Sequence, residues 1–371
     1  MSDDHKLTLI LTIKDRAPFT LRWITYANKI SFPFKVLIAD GGKDSSLEKI
    51  LSQTNRFSNI DYEYIRYPYD ETYAQYYGKT ADALSRVQTQ FAVVGQDDDF
   101  FFKEGLQKAV DFLSAHKNYI AYNGRIDNFI IKPDTNIPYG KDVEFIQNPA
   151  DESIEDKTST ERISKHFRNY THTYYSVYRT DVLLKNYETL CKYNFTNLIL
   201  HELILSFLTV AQGIVKRENL FYLLRQINPK GSSNRAEHEK KGDYLDRMLI
   251  DSWSMEFSQF TNSIAEIISD KDKVNLEQAQ QLVKKEYRKY LIPILAQQVE
   301  GLQGKPSLMK KLKCRVRGLK KDNPLQSILR SLFHNYQDMT DDTTRPRPIR
   351  PTSPIFKNVQ PVHSFLTSEK K

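Results

Sequence analysis

Residues 91–100, with the sequence Phe-Ala-Val-Val-Gly-Gln-Asp-Asp-Asp-Phe, place three consecutive carboxylates directly after an apolar run. The apolar run is typical of a buried strand, so Asp97, Asp98 and Asp99 would stand at its carboxyl end. Three adjacent negative charges repel one another and lose hydration beside an apolar strand. A hard divalent cation such as Mg²⁺ or Mn²⁺ would relieve that conflict and could carry substrate phosphates. The alternative is a helix N-terminus, for which one Asp would suffice.

Strands alternate with helices on both sides of this stretch. Apolar, β-branched runs predict strands at 7–13, 34–39 and 60–65, and apolar residues at helical spacing predict the helices that follow them. Such alternation favours right-handed crossovers and a Rossmann-like, mostly parallel sheet flanked by helices. The predicted fold class is therefore α/β. Residues 125–165 are polar and contain several prolines, which is typical of irregular or β-rich loops.

Three predicted strands end in polar residues. Asp15 and Arg16 follow the first strand, Asp40 ends the second, and the carboxylates at 97–99 follow the fourth. Ligands of such sheets bind beyond the carboxyl ends of the strands, so these groups could converge on one crevice. Neither GxxxxGK nor GxGxxG follows any of these strands, which excludes the usual phosphate loops of kinases and dehydrogenases. A nucleotide bound here would have its phosphates held by a metal instead.

The composition is that of an ordinary globular protein. The chain has 371 residues, 40% hydrophobic and 27% charged, which suits one large domain or two modest ones. No apolar stretch is long enough to span a bilayer, and the polar N-terminus does not resemble a signal peptide. The two cysteines, Cys191 and Cys314, are far apart in sequence, which fits a reducing compartment. We expect a cytoplasmic protein.

The positive charge of the chain is concentrated near its C-terminus. Residues 305–321 contain eight basic residues and no acid, which equals the net charge of +8 of the whole chain. Apolar residues among them would allow an amphipathic helix at an anionic membrane surface; a solvated basic helix is the alternative. The first half of the chain is therefore not a general binder of polyanions. From residue 340 onwards, the prolines, arginines and polar residues predict disorder.

The pair His201-Glu202 interrupts an otherwise apolar stretch at residues 197–208. A carboxylate in apolar surroundings is costly unless it is paired or has a chemical role. The alternative is a helix face that meets solvent at this point. The two interpretations differ in whether Glu202 takes part in a reaction.

The ordered set of strand ends resembles the family 2 nucleotide-sugar glycosyltransferases, which have the GT-A fold. The strand before Asp15, the strand that ends at Asp40 and the acidic triplet at 97–99 match the family's first strand, second acidic strand end and DXD motif. The pair His201-Glu202 lies where the family has an acidic residue at the head of a helix. The resemblance covers residues 7–225. It implies a GT-A fold, here with a helical C-terminal extension.

The resemblance implies transfer of a sugar from a nucleoside diphosphate donor to a hydroxyl of a glycan or lipid-linked acceptor, in bacterial surface polysaccharide synthesis. It implies Mn²⁺ or Mg²⁺ on Asp97 and Asp99, which neutralises the diphosphate leaving group. Asp98 would hold the ribose or orient the metal ligands. The register is open, since Asp98 and Asp99 could play the two DXD roles instead. The chain departs from many members at Ala39-Asp40, where those members have paired acids.

The same resemblance suggests roles for further residues. Asp15 and Asp40 would accept hydrogen bonds from the base or ribose, and Arg16 and Lys79 would contact phosphate. Glu202 would be the general base that takes the acceptor proton, with its pKa raised by its apolar flanks. One base and an in-line displacement would invert the anomeric centre, as in the family.

Three regions are expected along the chain. A GT-A domain spans 1–235, a helical region with the basic segment 305–321 spans 236–325, and a mostly disordered tail spans 326–371. His238 lies in a charged run at the start of the helical region. It would be a further metal ligand, as a histidine is in some GT-A enzymes, or simply a solvated side chain.

Two other functions compete with glycosyl transfer. A sugar nucleotidyltransferase also uses an α/β sheet and carboxylate-bound Mg²⁺, but it normally has a Gly-rich basic loop after the first strand, which this chain lacks. A non-enzymatic adaptor for membranes or nucleic acid would explain residues 305–321 but not the acidic triplet, because carboxylates repel a phosphate backbone. We therefore expect a nucleotide-sugar donor and a glycan or lipid-linked acceptor as partners, and no nucleic acid. The basic segment adds an anionic membrane surface, with peripheral association at the inner face of the membrane.

Overall fold

The structure is a computed structural model that describes residues 6–53, 56–133, 137–193, 195–227, 244–302 and 346–368. The strands are β1 (Leu7–Ile13), β2 (Lys35–Asp40), β3 (Tyr62–Arg66), β4 (Phe91–Gly95), β5 (Phe100–Phe101), β6 (Tyr119–Lys132), β7 (Asp142–Gln147), β8 (Val177–Arg179), β9 (Ile214–Gln226) and β10 (Arg347–Pro348). The helices are α1 (Ala17–Lys29), α2 (Ser46–Leu51), α3 (Tyr73–Ser85), α4 (Lys103–Ala115), α5 (Ser159–Arg168), α6 (Thr180–Tyr193), α7 (Leu198–Gln212), α8 (Tyr244–Met248), α9 (Trp253–Asp272), α10 (Leu276–Leu302) and α11 (Phe356–Thr367).

The strands form one sheet in the order β10-β7-β6-β8-β4-β1-β2-β3. The four strands β4, β1, β2 and β3 are parallel to one another, as the alternation of strands and helices predicted. β8 pairs antiparallel with both β4 and β6, and β9 pairs antiparallel with β5 and parallel with β6. The predicted α/β class is confirmed: four neighbouring parallel strands are joined by flanking helices. Their carboxyl ends lie along one edge of the sheet.

Both faces of the sheet are covered. Leu9 and Leu11 of β1 belong to the core under α1, α2 and α4, whereas Ile10 belongs to the core under α3, α6 and α7. All seven residues of β1 are buried. Burial on both faces explains why apolar residues stand at consecutive positions 9–11 rather than alternating with charged ones.

Helices α8–α10 extend the core under α3, α6 and α7. Phe260 of α9 and Tyr287 of α10 belong to the same buried cluster as Phe207 of α7. Where it is described, the helical region therefore packs directly on the α/β part. No helix among the described residues combines the length and apolar character needed to cross a bilayer. The basic segment 305–321 and His238 lie outside the described residues.

The described part of the tail, residues 346–368, differs from the expected disorder. β10 pairs antiparallel with β7 at the edge of the sheet, and α11 packs against β7 and α1. The side chains that α11 buries are Val359, Val362, Phe365 and Leu366. Their spacing of three and four residues is that of an amphipathic helix, a signal that the neighbouring prolines and arginines obscured. Residues 326–345 and 369–371 lie outside the described residues.

Candidate active site

The acidic loop, Asp97–Asp99, connects β4 to β5 at the carboxyl end of the parallel strands. Asp97 and Asp99 are each 1% exposed. The side chain of Asp98 is 14% exposed. The strands on either side of the loop are buried, which draws its two outer carboxylates into the protein. Asp98 is therefore the carboxylate of the three that a ligand in solution can reach most easily.

Two side chains from the start of α1 hold Asp97. The Oγ1 of Thr20 donates a hydrogen bond to Asp97 Oδ2 at 2.9 Å. The Nη1 of Arg16 lies 3.5 Å from Asp97 Oδ1, while its Nη2 donates to Asp98 Oδ2 at 2.9 Å. Both oxygens of Asp97 therefore already have protein partners.

Asp99 points towards β9. Its Oδ1 accepts a hydrogen bond from the main-chain N–H of Gln226 at 3.0 Å. Its Oδ2 is buried and accepts no hydrogen bond of ordinary geometry from the described residues. The nearby Tyr175 hydroxyl nevertheless favours the ionised carboxylate and so lowers the pKa of Asp99. A buried carboxylate oxygen without a strong donor is costly. Asp99 therefore has spare capacity as a ligand.

Burial raises the pKa of the two buried carboxyl groups of the loop, those of Asp97 and Asp99. The pKa of Asp99 rises to about 7, through burial and then the charge of Asp98. The pKa of Asp97 rises to about 6, mainly through burial, against the opposing charge of Arg16. The nearby guanidinium thus does not fully offset the cost of charging the loop. A further cation would stabilise its ionised form.

Asp40, at the end of β2, is held by its neighbours. It is 2% exposed. Its Oδ2 accepts hydrogen bonds from the Tyr64 hydroxyl at 2.7 Å and from Arg66 Nη1 at 2.8 Å, and its Oδ1 accepts from the Gly42 N–H at 2.8 Å. Arg66, at the end of β3, is a site residue that the sequence analysis missed.

Asp15, at the end of β1, is exposed and adopts a φ of 52°, a conformation that Asp tolerates better than most residues. Its Oδ1 accepts a hydrogen bond from the Lys43 N–H at 2.6 Å. A Cβ at Gly42 would lie 2.7 Å from the main-chain nitrogen of Asp15, so the two loops approach as closely as a glycine allows. The structure thus brings Asp15 and Asp40 to the same corner of the sheet edge.

Lys79, predicted to contact phosphate, is buried in α3 beneath the strand ends. It is 4% exposed. Its Nζ donates to Asp70 Oδ2 at 2.5 Å and to the carbonyl of Ile13 at 2.9 Å. A Cβ at Gly41 would lie 2.3 Å from Asp70 Oδ2, so the ion pair fits tightly under the β2 end. The observed contacts of Lys79 join α3 to β1, and its phosphate role stays a prediction.

The pair His201-Glu202 divides between core and surface in the first turns of α7. His201 is 1% exposed and contacts the ring of Tyr77, with 4.6 Å between ring centroids. Glu202 is exposed, and its carbonyl accepts a hydrogen bond from the Tyr170 hydroxyl at 3.3 Å. The buried polar residue of this stretch is therefore His201. The carboxylate of Glu202 lies on the side that a substrate could reach.

Arg225, near the end of β9, links the acidic loop to Glu202. The pKa of its guanidinium is raised, first by Tyr175 and then by the carboxylates of Asp99, Asp98 and Glu202. The residue is exposed and lies over the Tyr175 ring, 5.8 Å from its centroid. Among the described residues its guanidinium makes no ion pair or side-chain hydrogen bond. An exposed arginine between carboxylates is a candidate anion ligand that sequence reasoning missed, because β9 carries no recognisable motif.

The acidic loop fits a divalent cation that takes only one or two of its ligands from the protein. Within the described residues, no three His, Cys, Asp or Glu side chains are grouped to hold a metal by themselves. Mg²⁺ and Mn²⁺ often use one or two carboxylates and complete their shell with water and substrate phosphates. The reachable carboxylate of Asp98 and the poorly satisfied Oδ2 of Asp99 fit that pattern. Asp97, with both oxygens engaged, fits it less well.

Comparisons with known proteins give a likeness at low identity. No family model and no curated protein matches the chain. A crystal structure of S. aureus TarS 1–349 is 15% identical over 82% of this chain and 77% of that chain, with a TM-score of 0.48. TarS 1–349 in complex with UDP is also 15% identical over the same shares, with a TM-score of 0.47. TarS 1–349 in complex with UDP-GlcNAc is 14% identical over 81% of this chain and 92% of that chain, with a TM-score of 0.42.

Proposed function

We propose that the protein transfers a sugar from a nucleoside diphosphate donor to a hydroxyl group of a glycan or lipid-linked acceptor. The observation that carries this proposal is the acidic loop at the carboxyl end of the parallel strands together with Arg225, which makes no ion pair within the described residues and whose pKa is raised first by Tyr175 and then by the loop and the exposed Glu202. A loop that could bind a cation, beside a guanidinium that makes no ion pair in the described part of the chain, suits a diphosphate. A carboxylate near that guanidinium suits a general base.

A divalent cation is part of the proposal. Asp98 and Asp99 would hold it, because Asp98 is reachable and Asp99 has a poorly satisfied oxygen. This is the second of the two registers that the sequence allowed. Bound there, Mn²⁺ or Mg²⁺ would act as a Lewis acid on the diphosphate leaving group. His238 stays a candidate for a further ligand.

The residues of the chain would divide the remaining work between the two substrates. Arg225 would bind the diphosphate oxygens, for which a guanidinium has matching donors. Asp15 and the Asp40–Arg66 pair would meet the base and ribose at the β1 and β2 ends. Glu202 would accept the proton of the acceptor hydroxyl while the acceptor oxygen bonds to the anomeric carbon. The bond from that carbon to the diphosphate breaks in the same step, which inverts the configuration.

Binding of donors to variants of the acidic loop tests this function. A panel of nucleoside diphosphate sugars that includes UDP-GlcNAc is titrated into the protein by calorimetry, with and without Mn²⁺. We expect at least one donor to bind only with Mn²⁺, and Asp98→Asn and Asp99→Asn to abolish that binding. Asp111→Asn, at an exposed Asp on α4, is the matched control and should bind as the parent does. Failure of every donor to bind, or binding that ignores Mn²⁺, would refute the proposal.

A further inference from the structure

Arg16 is the cation that neutralises the acidic loop from the solvent side. Its Nη2 donates to Asp98 Oδ2 at 2.9 Å, and its Nη1 lies 3.5 Å from Asp97 Oδ1. The guanidinium also lies over the ring of Phe19, 4.3 Å from its centroid. The Arg16 side chain is 31% exposed. It therefore reaches the loop from the surface, without being enclosed by the protein.

The other two arginines near the loop contact it differently. Arg22 is 0% exposed and donates to the main-chain carbonyl of Asp98 rather than to a carboxylate. Arg225 makes no ion pair with the loop in the described part of the chain, although the charges of Asp99 and Asp98 raise its pKa. Among the described residues, Arg16 is thus the cation in ion-pair contact with the side chains of the loop. It is also the one that can leave without unpacking the core.

We propose that Arg16 is an internal counter-ion that competes with a divalent cation for Asp98, and that it exchanges this carboxylate for donor phosphate when the cation binds. This inference rests on the proposed function. A guanidinium and a metal ion on the same carboxylate repel each other, and Asp98 is the most reachable carboxylate of the loop. The Arg16–Asp98 pair therefore opposes cation binding at Asp98, and cation binding favours release of Arg16.

The released guanidinium needs a new partner. A diphosphate supplies oxygens that an arginine can bind with two parallel hydrogen bonds. When a cation binds alone, Arg16 loses Asp98 and gains no new partner. When the cation binds with a diphosphate, Arg16 can pair with the diphosphate oxygens instead. Binding of the two ligands should therefore be cooperative, and the cooperativity should be the same whichever ligand is added first.

Removal of the Arg16 charge separates this role from a structural one. Arg16→Met keeps an unbranched side chain at this position and removes the competing charge. We expect the variant to bind Mn²⁺ alone about fivefold or more tightly than the parent, since couplings of this kind are typically 5–150-fold. An arginine that merely stabilised the loop would give the opposite result, with weaker binding in a loosened site.

The experiment follows free Mn²⁺ by electron paramagnetic resonance during titration of the protein, first with Mn²⁺ alone and then with UDP or GDP present. Arg86→Met is the matched control, because Arg86 also pairs with a carboxylate, Asp82, at 2.8 Å on the surface of α3. Tighter Mn²⁺ binding by Arg16→Met alone, with a smaller gain from the nucleotide than in the parent, supports the proposal.

Two other outcomes would overturn the inference, and they differ in what they say about the function. If the parent binds Mn²⁺ and Arg16→Met binds it equally well or more weakly, Arg16 is not a competitor, and the proposed function stands. If no form binds Mn²⁺ with or without UDP or GDP, the cation site itself is refuted. The thermal midpoints of the apo proteins show that each variant is folded before titration.

Discussion

Arg22 donates a hydrogen bond from Nη2 to the main-chain carbonyl of Asp98 at 2.8 Å, from a fully buried position. Its Nη1 donates to Gln226 Oε1 at 2.7 Å, and the main-chain N–H of Gln226 in turn binds Asp99. One buried guanidinium therefore fixes the acidic loop against β9. Burial lowers the pKa of Arg22 to about 10, which still leaves it a cation at neutral pH. Its charge offsets part of the charge of the loop.

Helix α11 packs against residues that lie next to the acidic loop and next to a carbonyl that binds Arg22. The ring of Phe365 lies 6.5 Å from that of Phe100, the residue directly after the acidic loop, and 5.6 Å from that of Tyr139. The carbonyl of Pro138, next to Tyr139, accepts a hydrogen bond from Arg22 at 2.9 Å. Helix α11 thus contacts Phe100, which follows the acidic loop, and Tyr139, whose neighbour Pro138 binds Arg22.

Phe365→Ala should destabilise the protein by about 3–5 kcal/mol, the usual cost of removing a buried phenylalanine ring. Phe365 is 5% exposed and lies in a buried cluster with Phe100, Phe129 and Phe145, so the cavity would not fill easily. Urea unfolding followed by circular dichroism measures the change. Ser364→Ala, at the exposed neighbouring position, should stay within about 0.5 kcal/mol of the parent. Equal stability of the two variants would show that α11 does not contribute to the fold.

The central fold could be predicted because local signals and tertiary structure agree there. The strand predicted at 7–13 matches β1, and the runs at 34–39 and 60–65 match β2 and β3 within two residues. All residues of β1 and all but one of β2 are buried, so hydrophobicity marks these two strands, whereas β3 has no buried residue and is marked by its alternation of apolar and acidic residues. The helix at 356–367 was missed because composition was weighed there and periodicity was not.

The candidate site was harder to predict, since its partners come from distant parts of the chain. Lys79 and Asp70 meet because α3 crosses beneath β1 and β2, and nothing in the spacing of the two residues shows that contact. Arg66 meets Asp40 through the register of β2 and β3, which pairs these two residues across the strands. Arg225 gains its surroundings from the pairing of β9 with β5 and β6. The sequence analysis named the acids together with Arg16 and Lys79, whereas Arg66 and Arg225 became apparent only from the pairing of the strands.

Asp99 should make the protein less stable as the pH rises. Its folded pKa is raised to about 7, above an ordinary value of 3.8, so the folded state binds more protons than the unfolded state between these values. Stability is then lost as the pH increases through this window, by up to about 1.4 kcal/mol per pH unit from this group. Asp99→Asn should gain stability over the parent as the pH rises from 4 to 7.

Urea unfolding at several pH values in cation-free buffer measures the difference between the two proteins, so that other titrating groups cancel. Asp111→Asn, the same substitution at an exposed position of α4, serves as the control. Addition of Mn²⁺ at pH 7 should stabilise the parent and leave Asp99→Asn nearly unchanged. A difference between parent and Asp99→Asn that is constant from pH 4 to 7 would contradict the raised pKa.

Arg225→Met should weaken binding of the nucleotide sugar by about 10- to 100-fold, the usual value of a hydrogen-bonded contact between charged groups. The thermal midpoint should hardly change, because the guanidinium makes no ion pair or side-chain hydrogen bond within the described residues. Arg225→Lys should recover part of the affinity, since it keeps the charge and loses the paired donors. Arg168→Met, at an exposed arginine of α5, should bind like the parent. An Arg225→Met protein with unchanged donor affinity would remove Arg225 from the donor site.

Glu202→Gln should retain donor binding and lose turnover. Glutamine keeps the volume of glutamate and one acceptor oxygen, and the residue is exposed, so the helix should be undisturbed. The amide cannot take a proton at neutral pH, and a positioned base typically contributes about 10²–10⁴-fold in rate. Release of the nucleoside diphosphate at saturating donor, with water or a sugar hydroxyl as the acceptor, measures the loss.

The control and the pH profile separate a base from a surface residue. Glu188→Gln, at an exposed glutamate of α6, should turn over like the parent. The parent rate should fall as the pH decreases and Glu202 becomes protonated, whereas the residual rate of Glu202→Gln should lack that limb. A Glu202→Gln enzyme that stays within a few-fold of the parent and keeps the acidic limb would mean that another group takes the proton.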